Sequence, residues 1–303
     1  MMKNHCSKGV DIVKFFKGKQ ILLNLFFIAL CALMIYPLLM VLAVSLSSEA
    51  DVSKYGYLLI PKKIDLTAYE YVFKNPLRVI NAYKVTAIFS FVGMALSVLL
   101  MAMIAYPLSN KRFKARKKVN FFLYFTMLFH GGLVPTYILI TKYLNLGDTI
   151  WVYILPSLIS PWYVFMMRTF FADIPDEMLD AVKVDGGNQF VIFFRFILPL
   201  SKPVLATVAL FMFLSKWNDW NTSMLYINNP DLYSLQFLLQ DIMQNISLLQ
   251  SNETAGMMLS MEDIPSETVR MAMAIIVAGP ALLVFPFFQK YFTKGLTVGS
   301  VKG

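Results

Sequence analysis

The sequence predicts an all-α membrane protein: a polytopic bundle of six transmembrane helices with both termini in the cytoplasm. Three observations carry this expectation. Hydrophobic residues make up 58% of the 303 residues and charged residues only 15%, against about 25% charged in an ordinary soluble domain. The apolar residues fall in uncharged blocks at 20–48, 85–110, 119–141, 149–167, 203–215 and 271–289. The charges between those blocks are sorted by sign.

A helix needs about 20 residues to cross the hydrocarbon core. Spans are therefore expected at 20–47, 84–109, 119–141, 150–171, 201–225 and 268–292. The fifth crosses only by running past Lys216 and Asp219. Helices are favoured over a barrel because the blocks are continuous, whereas barrel strands alternate over about 10 residues. A helix also pairs its backbone polar groups within one segment, as lipid demands.

Orientation follows from the cations. Lys3, Lys8, Lys14, Lys17 and Lys19 precede the first span, against one acid, Asp11. Residues 111–118 hold six cations and no acid, and Lys290, Lys294 and Lys302 end the chain. Residues 227–266 hold Asp231, Asp241, Glu253, Glu262 and Asp263 without a Lys or Arg. The positive-inside rule puts the basic segments in the cytoplasm. The net charge of +9 then reports membrane orientation, and nucleic acid is not an expected partner. The cluster at 111–118 reads either as topology alone or as a binder of anionic lipid. Cys6 and Cys31 form no disulfide framework, and 20–48 reads as a retained first helix, too long for a signal-peptide core.

The elements follow in order. Residues 1–19 are a cytoplasmic lead, and 20–83 are the first span with an outer loop, where Pro61 and Pro76 limit regular helix. Residues 84–292 form the transmembrane core, which includes a cytoplasmic loop at 172–199, and 293–303 form a cytoplasmic tail. Gly131-Gly132 and Pro135 imply a break in the third span. Residues 142–148 make a tight turn. In the outer loop 227–266, Leu235, Leu238, Leu239, Ile242, Ile246 and Leu249 recur at helical spacing, either capping the bundle or facing an outside partner.

The loop carries the sharpest local code. Asp173 is an expected N-cap, Pro175 suits a first turn, and Asp176 and Glu177 sit near the positive helix end. Ile174, Met178, Leu179 and Val182 make a partly apolar face, and Gly186-Gly187 stop the helix. Asp180-Ala181-Val182 is followed after three residues by Gly186, and after nine more by Phe196-Ile197-Leu198-Pro199.

That spacing resembles the E-A-A-x3-G-x9-I-x-L-P motif, the EAA loop, of ATP-binding-cassette (ABC) importer permeases. Asp180, Val182 and Phe196 replace the usual Glu, Ala and Ile. The stretch 145–156, Lys216-Trp217-Asn218-Asp219-Trp220 and the tail 294–303 are similar to carbohydrate permeases, the tail to the maltose-type second permease. His130-Gly131-Gly132-Leu133-Val134-Pro135-Thr136-Tyr137 points to the branch serving oligosaccharides from complex polysaccharides.

The resemblance implies a multi-pass permease of the bacterial cell membrane with no enzymatic activity, cofactor or metal. Its implied partners are a homologous second permease, two cytoplasmic ATP-binding subunits, an extracellular solute-binding lipoprotein and a carbohydrate substrate. Glu177, Asp180, Ala181, Gly186, Leu198 and Pro199 are the implied contacts or supports for the ATPase. The chain has no G-x-x-x-x-G-K-[ST] loop of its own to hold ATP. Its histidines are only His5 and His130, with no metal-ligand cluster.

Lys216 and Asp219 lie inside the fifth span, where a charge costs roughly 2.5–3.5 kcal/mol. Spaced i, i+3, they can share a helix face and partly neutralise each other. With Trp217, Asn218 and Trp220 they suit a sugar path, by ring stacking and amide or carboxylate hydrogen bonds, or equally an interfacial aromatic belt with a structural ion pair. Two other functions fit the residues: an ion-coupled secondary transporter with Lys216–Asp219 as its ion site, and an importer permease for a non-sugar solute.

Overall fold

The computed structural model describes residues 4–184, 186–251 and 266–298, with side chains described for 20–175, 177–180, 182–184, 186–248 and 266–289. Among these the regular elements are all helices, and the one β-bridge, between Ser47 and Ile64, is isolated. It divides into two compact units. One takes in residues up to Val72 together with 246–275, the other 73–245 together with 276–298.

In the first unit, α1 (Asn4–Ser45) runs unbroken through the expected lead and first span. Its stretch Gln20–Ser45 is 26 residues long with mean hydropathy 2.7, and none of its most apolar window is buried within the chain, as suits a helix solvated by lipid. Two short helices follow, α2 (Glu49–Tyr55) and α3 (Thr67–Val72). The Ser48 hydroxyl caps α2 by accepting from Asp51 N–H at 3.2 Å. Tyr69 Oη lies 2.9 Å from Ser45 Oγ and ties α3 back to the end of α1. Glu49 is the hub of this unit. Its carboxylate accepts from the backbone N–H groups of Glu267 and Thr268, each at 3.0 Å, and from Thr268 Oγ1 at 2.7 Å. It thereby satisfies donors that the last helix, Ser266–Val298, would otherwise leave bare at its start.

The second unit is built around α4 (Pro76–Ser109), 34 residues with mean hydropathy 2.4. Its small residues Gly93, Ser97, Ala102 and Ala105 lie along a buried face and let neighbouring helices approach closely. α5 (Arg116–Leu128) and α6 (Leu133–Ile138) come next, the latter continuing as a π-helical turn to Tyr143. They meet at an angle of 113°. The break falls at the expected Gly131-Gly132: Gly132 takes φ +87°, a conformation open to a residue without Cβ.

The expected fourth span, 150–171, is instead two pieces, α7 (Trp151–Ile154, with one 3₁₀ turn to Ser157) and α8 (Pro161–Ala172). Ser160 is extended at φ −111°, ψ 115° before Pro161, because a proline ring disfavours the helical conformation in the residue preceding it. The fifth expected span also differs. After α9 (Asp176–Val184), the apolar path starts earlier than residue 201, at α10 (Gln189–Ile192). It continues through a π turn to α11 (Leu198–Leu200), then bends by 79° into α12 (Lys202–Trp217). α13 (Asn221–Tyr226), α14 (Leu235–Ser251) and α15 (Ser266–Val298) complete the described chain. Among the described residues, three helices are individually long and apolar enough to cross a membrane, or five if each bent pair counts as one span, against the six expected.

α4 packs along α8 and α12. The larger core joins Met101, Ala105 and Leu108 of α4 to Val164, Met167 and Phe171 of α8 and to Val204 and Val208 of α12. A second core surrounds Tyr153, whose ring stacks on Phe89 with centroids 4.3 Å apart and planes 6° from parallel. α14 carries its expected apolar stripe, where Leu235, Leu238, Leu239 and Ile246 are buried, and its Leu235 N–H donates to Thr86 Oγ1 of α4 at 2.8 Å. Leu249 is among the residues whose side chains lie outside the described set.

Candidate functional site

α9 is the discrete helix expected between the two halves of the core. Its C-terminal stop is built as the sequence implies. Gly186 takes φ +82°, and the N–H groups of Gly186 and Gly187 donate to Lys183 O at 3.0 Å and Val182 O at 2.9 Å. Gly187 is equally required, since a Cβ there would fall 2.8 Å from Val182 O. Asn188 then caps α10 by accepting from Val191 N–H at 2.9 Å. Asn before an apolar run is the ordinary sequence signal for such a cap.

The N-terminal end differs from expectation. Asp173 does not immediately precede α9; its own N–H donates to Phe170 O at the end of α8, and Pro175 directly precedes Asp176. The apolar face is also narrower than expected. Ile174, Leu179 and Val182 pack against the larger core, but Met178 is exposed, as is Val184 at 87%.

Between α9 and the C-terminal end of α4 is a cavity of about 310 Å³, lined by Tyr106, Arg112, Asp173, Glu177, Asp180 and Lys183 among others. Tyr106 Oη donates to Gln189 Oε1 at 2.8 Å, linking α4 to α10. Asp180 pairs with Lys183 Nζ at 2.7 Å, one turn on, with both side chains well exposed. The hydrogen bond and charge of Lys183 hold the Asp180 carboxyl below its ordinary pKa. Glu177 is exposed on the same helix, Leu198 is partly buried on the core, and Pro199 is exposed. Ala181 lies within α9, with its side chain outside the described set.

The second cluster forms around a cavity of about 360 Å³ lined by Ser157, Met212, Ser215, Lys216, Asn218, Asp219, Trp220 and Asn221. Lys216 and Asp219 make no ion pair. α12 ends at Trp217, so the helical i, i+3 geometry that would join them is lost. Lys216 is 3% exposed and donates to Ser157 Oγ at 2.6 Å and to Tyr153 O at 3.3 Å. Asp219 instead caps α13, accepting from Thr222 N–H at 3.0 Å. Trp217 leaves the expected sugar-path set: it is 3% exposed, stacks on Phe213 and donates its indole N–H to Val277 O at 3.1 Å. Asn218 accepts from Gln236 Nε2 at 3.0 Å, and Trp220 remains 39% exposed.

One further residue was not foreseen. Asp148, in the tight turn, takes φ +53°. Its carboxylate accepts from the N–H groups of Asn228 at 2.5 Å and Asn229 at 2.9 Å, 80 residues away, while its own N–H donates to Tyr226 O at 3.0 Å. These backbone donors hold its carboxyl below the usual range.

Residues 79–298 match the family described as binding-protein-dependent transport system inner membrane component. Protein LplC of Bacillus subtilis is 37% identical over 272 residues, covering 90% of each chain. The polygalacturonan/rhamnogalacturonan transport system permease protein YtcP of Bacillus subtilis is 36% identical, covering 92% of this chain and 95% of the relative. Among solved structures, a bacterial ABC transporter involved in the import of the acidic polysaccharide alginate matches with TM-score 0.75 and 29% identity, over 96% of this chain and 99% of that one.

Proposed function

The chain belongs to the family of binding-protein-dependent transport system inner membrane components, and on that premise we propose that it is the permease subunit of an ATP-driven importer of oligosaccharides. It is a transport component of the bacterial inner membrane and not an enzyme. Its family works with a further permease, an ATPase and a solute-binding protein. The finer assembly proposed is one homologous second permease, two cytoplasmic ATP-binding subunits and an extracellular binding lipoprotein. The relatives' printed substrates, polygalacturonan/rhamnogalacturonan, arabinooligosaccharides and the acidic polysaccharide alginate, support an oligosaccharide derived from a polysaccharide.

The observation that carries the coupling role is α9 itself. It is a helix with its own stop at Gly186, held inward by Ile174, Leu179 and Val182, and it offers Met178, Val184, Glu177 and the Asp180–Lys183 pair outward. A partner ATPase gripping that outer face would move α9, and with it α8 and α10, as a body. Motion of packed helices between two arrangements is the usual way such closure is transmitted. Asn218, Asp219 and Trp220 are the proposed sugar-path residues, through the cavity they share with Ser157. In this reading both termini and α9 are cytoplasmic and the bent helix pairs count as spans.

Proteoliposomes carrying the assembled transporter test the proposal. Uptake of a labelled oligosaccharide is expected to need internal ATP and the binding protein, and to survive an uncoupler. Uptake that an uncoupler abolishes while ATP is present would overturn it in favour of ion coupling.

A further inference from the structure

In the proposed reading α5 and α6 make one span, yet the chain between them is not helical. Phe129 closes α5, and His130, Gly131 and Gly132 separate it from Leu133 at the start of α6. α5 is 13 residues long, so its end stands about 18 Å from Arg116 at about 1.5 Å per residue. The hydrocarbon core is about 30 Å thick, which puts the break at membrane depth. Non-helical backbone at that depth is tolerated only where protein covers it or where it lines a water-filled cavity.

The groups at the break favour water. His130 and Gly131 are exposed, and among the described residues their backbone N–H groups meet no acceptor. Gly132 N–H donates to His130 Nδ1 at 3.1 Å. An accepting Nδ1 carries no proton, so the ring N–H is Nε2–H, and it too has no partner among the described residues. The Gly132 carbonyl, by contrast, accepts from Thr136 Oγ1 at 2.7 Å. What the break presents is therefore a set of N–H donors. Lipid offers them no acceptor, and a protein cover would have to bring an acceptor to each. Water and sugar hydroxyls supply acceptors in any direction.

The break is also joined to the candidate solute cavity. Tyr137 of α6 stacks on Tyr226 of α13, with ring centroids 5.6 Å apart and planes 17° from parallel. α13 begins at Asn221, which lines the cavity of about 360 Å³ with Asp219 and Trp220. One short helix thus carries a cavity residue at its start and holds α6 at its end.

We propose that the break at His130–Gly132 lines the water-filled solute path, and that His130 Nε2–H donates to a hydroxyl oxygen of the passing oligosaccharide. The proposal rests on the reading of the chain as an oligosaccharide permease. It adds a polar contact from the third span to the residues already assigned to the path.

The test uses the complete transporter in nanodiscs, probed with a charged, membrane-impermeant methanethiosulfonate reagent. Gly131→Cys is made together with Cys6→Ser and Cys31→Ser. A Cβ at residue 131 meets nothing nearer than Pro135 Cβ at 4.0 Å, so the variant leaves the bond from Gly132 to His130 in place. The comparator is Cys31 in a Cys6→Ser chain, exposed on the lipid-solvated α1. Gly131→Cys should react at least tenfold faster than Cys31, because the reactive thiolate forms in water and is suppressed in apolar surroundings. The adduct should then block uptake, read in proteoliposomes with labelled oligogalacturonides and arabinooligosaccharides. His130→Asn keeps an acceptor for Gly132 N–H but withdraws the donor from the Nε2 position. It should raise KM roughly fivefold at unchanged kcat, the effect of one lost hydrogen bond.

Reaction no faster than at Cys31 would overturn the proposal and assign the break to a covering subunit or to lipid. Fast reaction that leaves uptake intact would also overturn it, by placing the break in a crevice off the path. A wild-type KM in His130→Asn would make His130 a positioning residue for the Gly132 turn and remove its contact with solute. Wild type that takes up neither sugar would sink the permease reading itself, while the labelling rate would still decide whether the break is wet.

Discussion

Lys216 lies across Gly93: a Cβ built on Gly93 would stand 2.8 Å from Lys216 Cε and 2.9 Å from its Nζ. α4 and α12 can approach here because residue 93 has no side chain, and the space is taken by the Lys216 stem on its way to Ser157. The close neighbour is the end of a flexible side chain, so Gly93→Ala is accommodated only if Lys216 gives up that contact. A hydrogen bond from a charged group contributes about 1.5–3 kcal/mol. Gly93→Ala should therefore lower the thermal stability of the purified transporter by an amount in that range. Lys216→Met in the same chain should restore much of it, since the two changes share one space. Additive losses in the double variant would refute the relationship.

The stop of α9 yields a prediction about coupling. Gly186→Ala forces a side chain into φ +82°, at about 1–2 kcal/mol, and Gly187→Ala drives a Cβ against Val182 O. Both variants should reach the membrane and hold the ATPase, yet hydrolyse ATP with a weakened response to the sugar-loaded binding protein. Measuring stimulated against basal ATPase activity checks this, and a wild-type ratio in both variants would remove the stop from the coupling pathway.

Trp217 and Trp220 should separate cleanly. Trp217→Phe loses the bond to Val277 O and should reduce stability by about 1 kcal/mol with the KM for uptake unchanged. Trp220→Ala should raise that KM severalfold while the melting temperature stays put, since Trp220 lines the cavity and a stacked sugar ring would be lost. A KM shift in the first variant and none in the second would reverse the proposed assignment.

Asp148 makes a pH-dependent contribution whose sign follows from its hydrogen bonds. The N–H groups of Asn228 and Asn229 lower its folded-state pKa. Its stabilising effect is thus fully present above the ordinary carboxylate pKa and is lost as pH falls through the lower, folded-state value. Asp148→Asn keeps one acceptor oxygen and tolerates the positive φ but lacks the charge and the second acceptor that Asn228 Nδ2 uses, so near neutral pH it should melt below wild type and above Asp148→Ala. Asp148→Ala should melt lower at neutral pH, and the gap should close in acid. A gap that instead widens as pH falls would contradict this linkage.

Much of the fold and part of the site were legible because their causes are local. Runs of apolar residues and the sorting of charge specified membrane helices before any contact was known. Gly131-Gly132 marked the 113° break and Gly186-Gly187 the end of α9, since both depend on backbone freedom written into one or two residues. Asp173 does not start α9 because its N–H is taken by Phe170 O at the end of α8, and where α8 ends is set by packing outside the loop.

The amino-acid sequence alone determined an all-helical membrane chain with a discrete, self-terminating helix between two halves of its core. Tertiary structure alone decided what the polar residues inside that core do. Lys216 finds Ser157 rather than Asp219 because α12 stops between them. Asp148 finds Asn228 and Asn229 across 80 residues, and Trp217 turns inward to Val277 O. Spacing predicts a partner only while a helix continues. Once it ends, a buried donor takes whichever acceptor the packing brings within reach, because leaving it unpaired costs more than any preference of sequence.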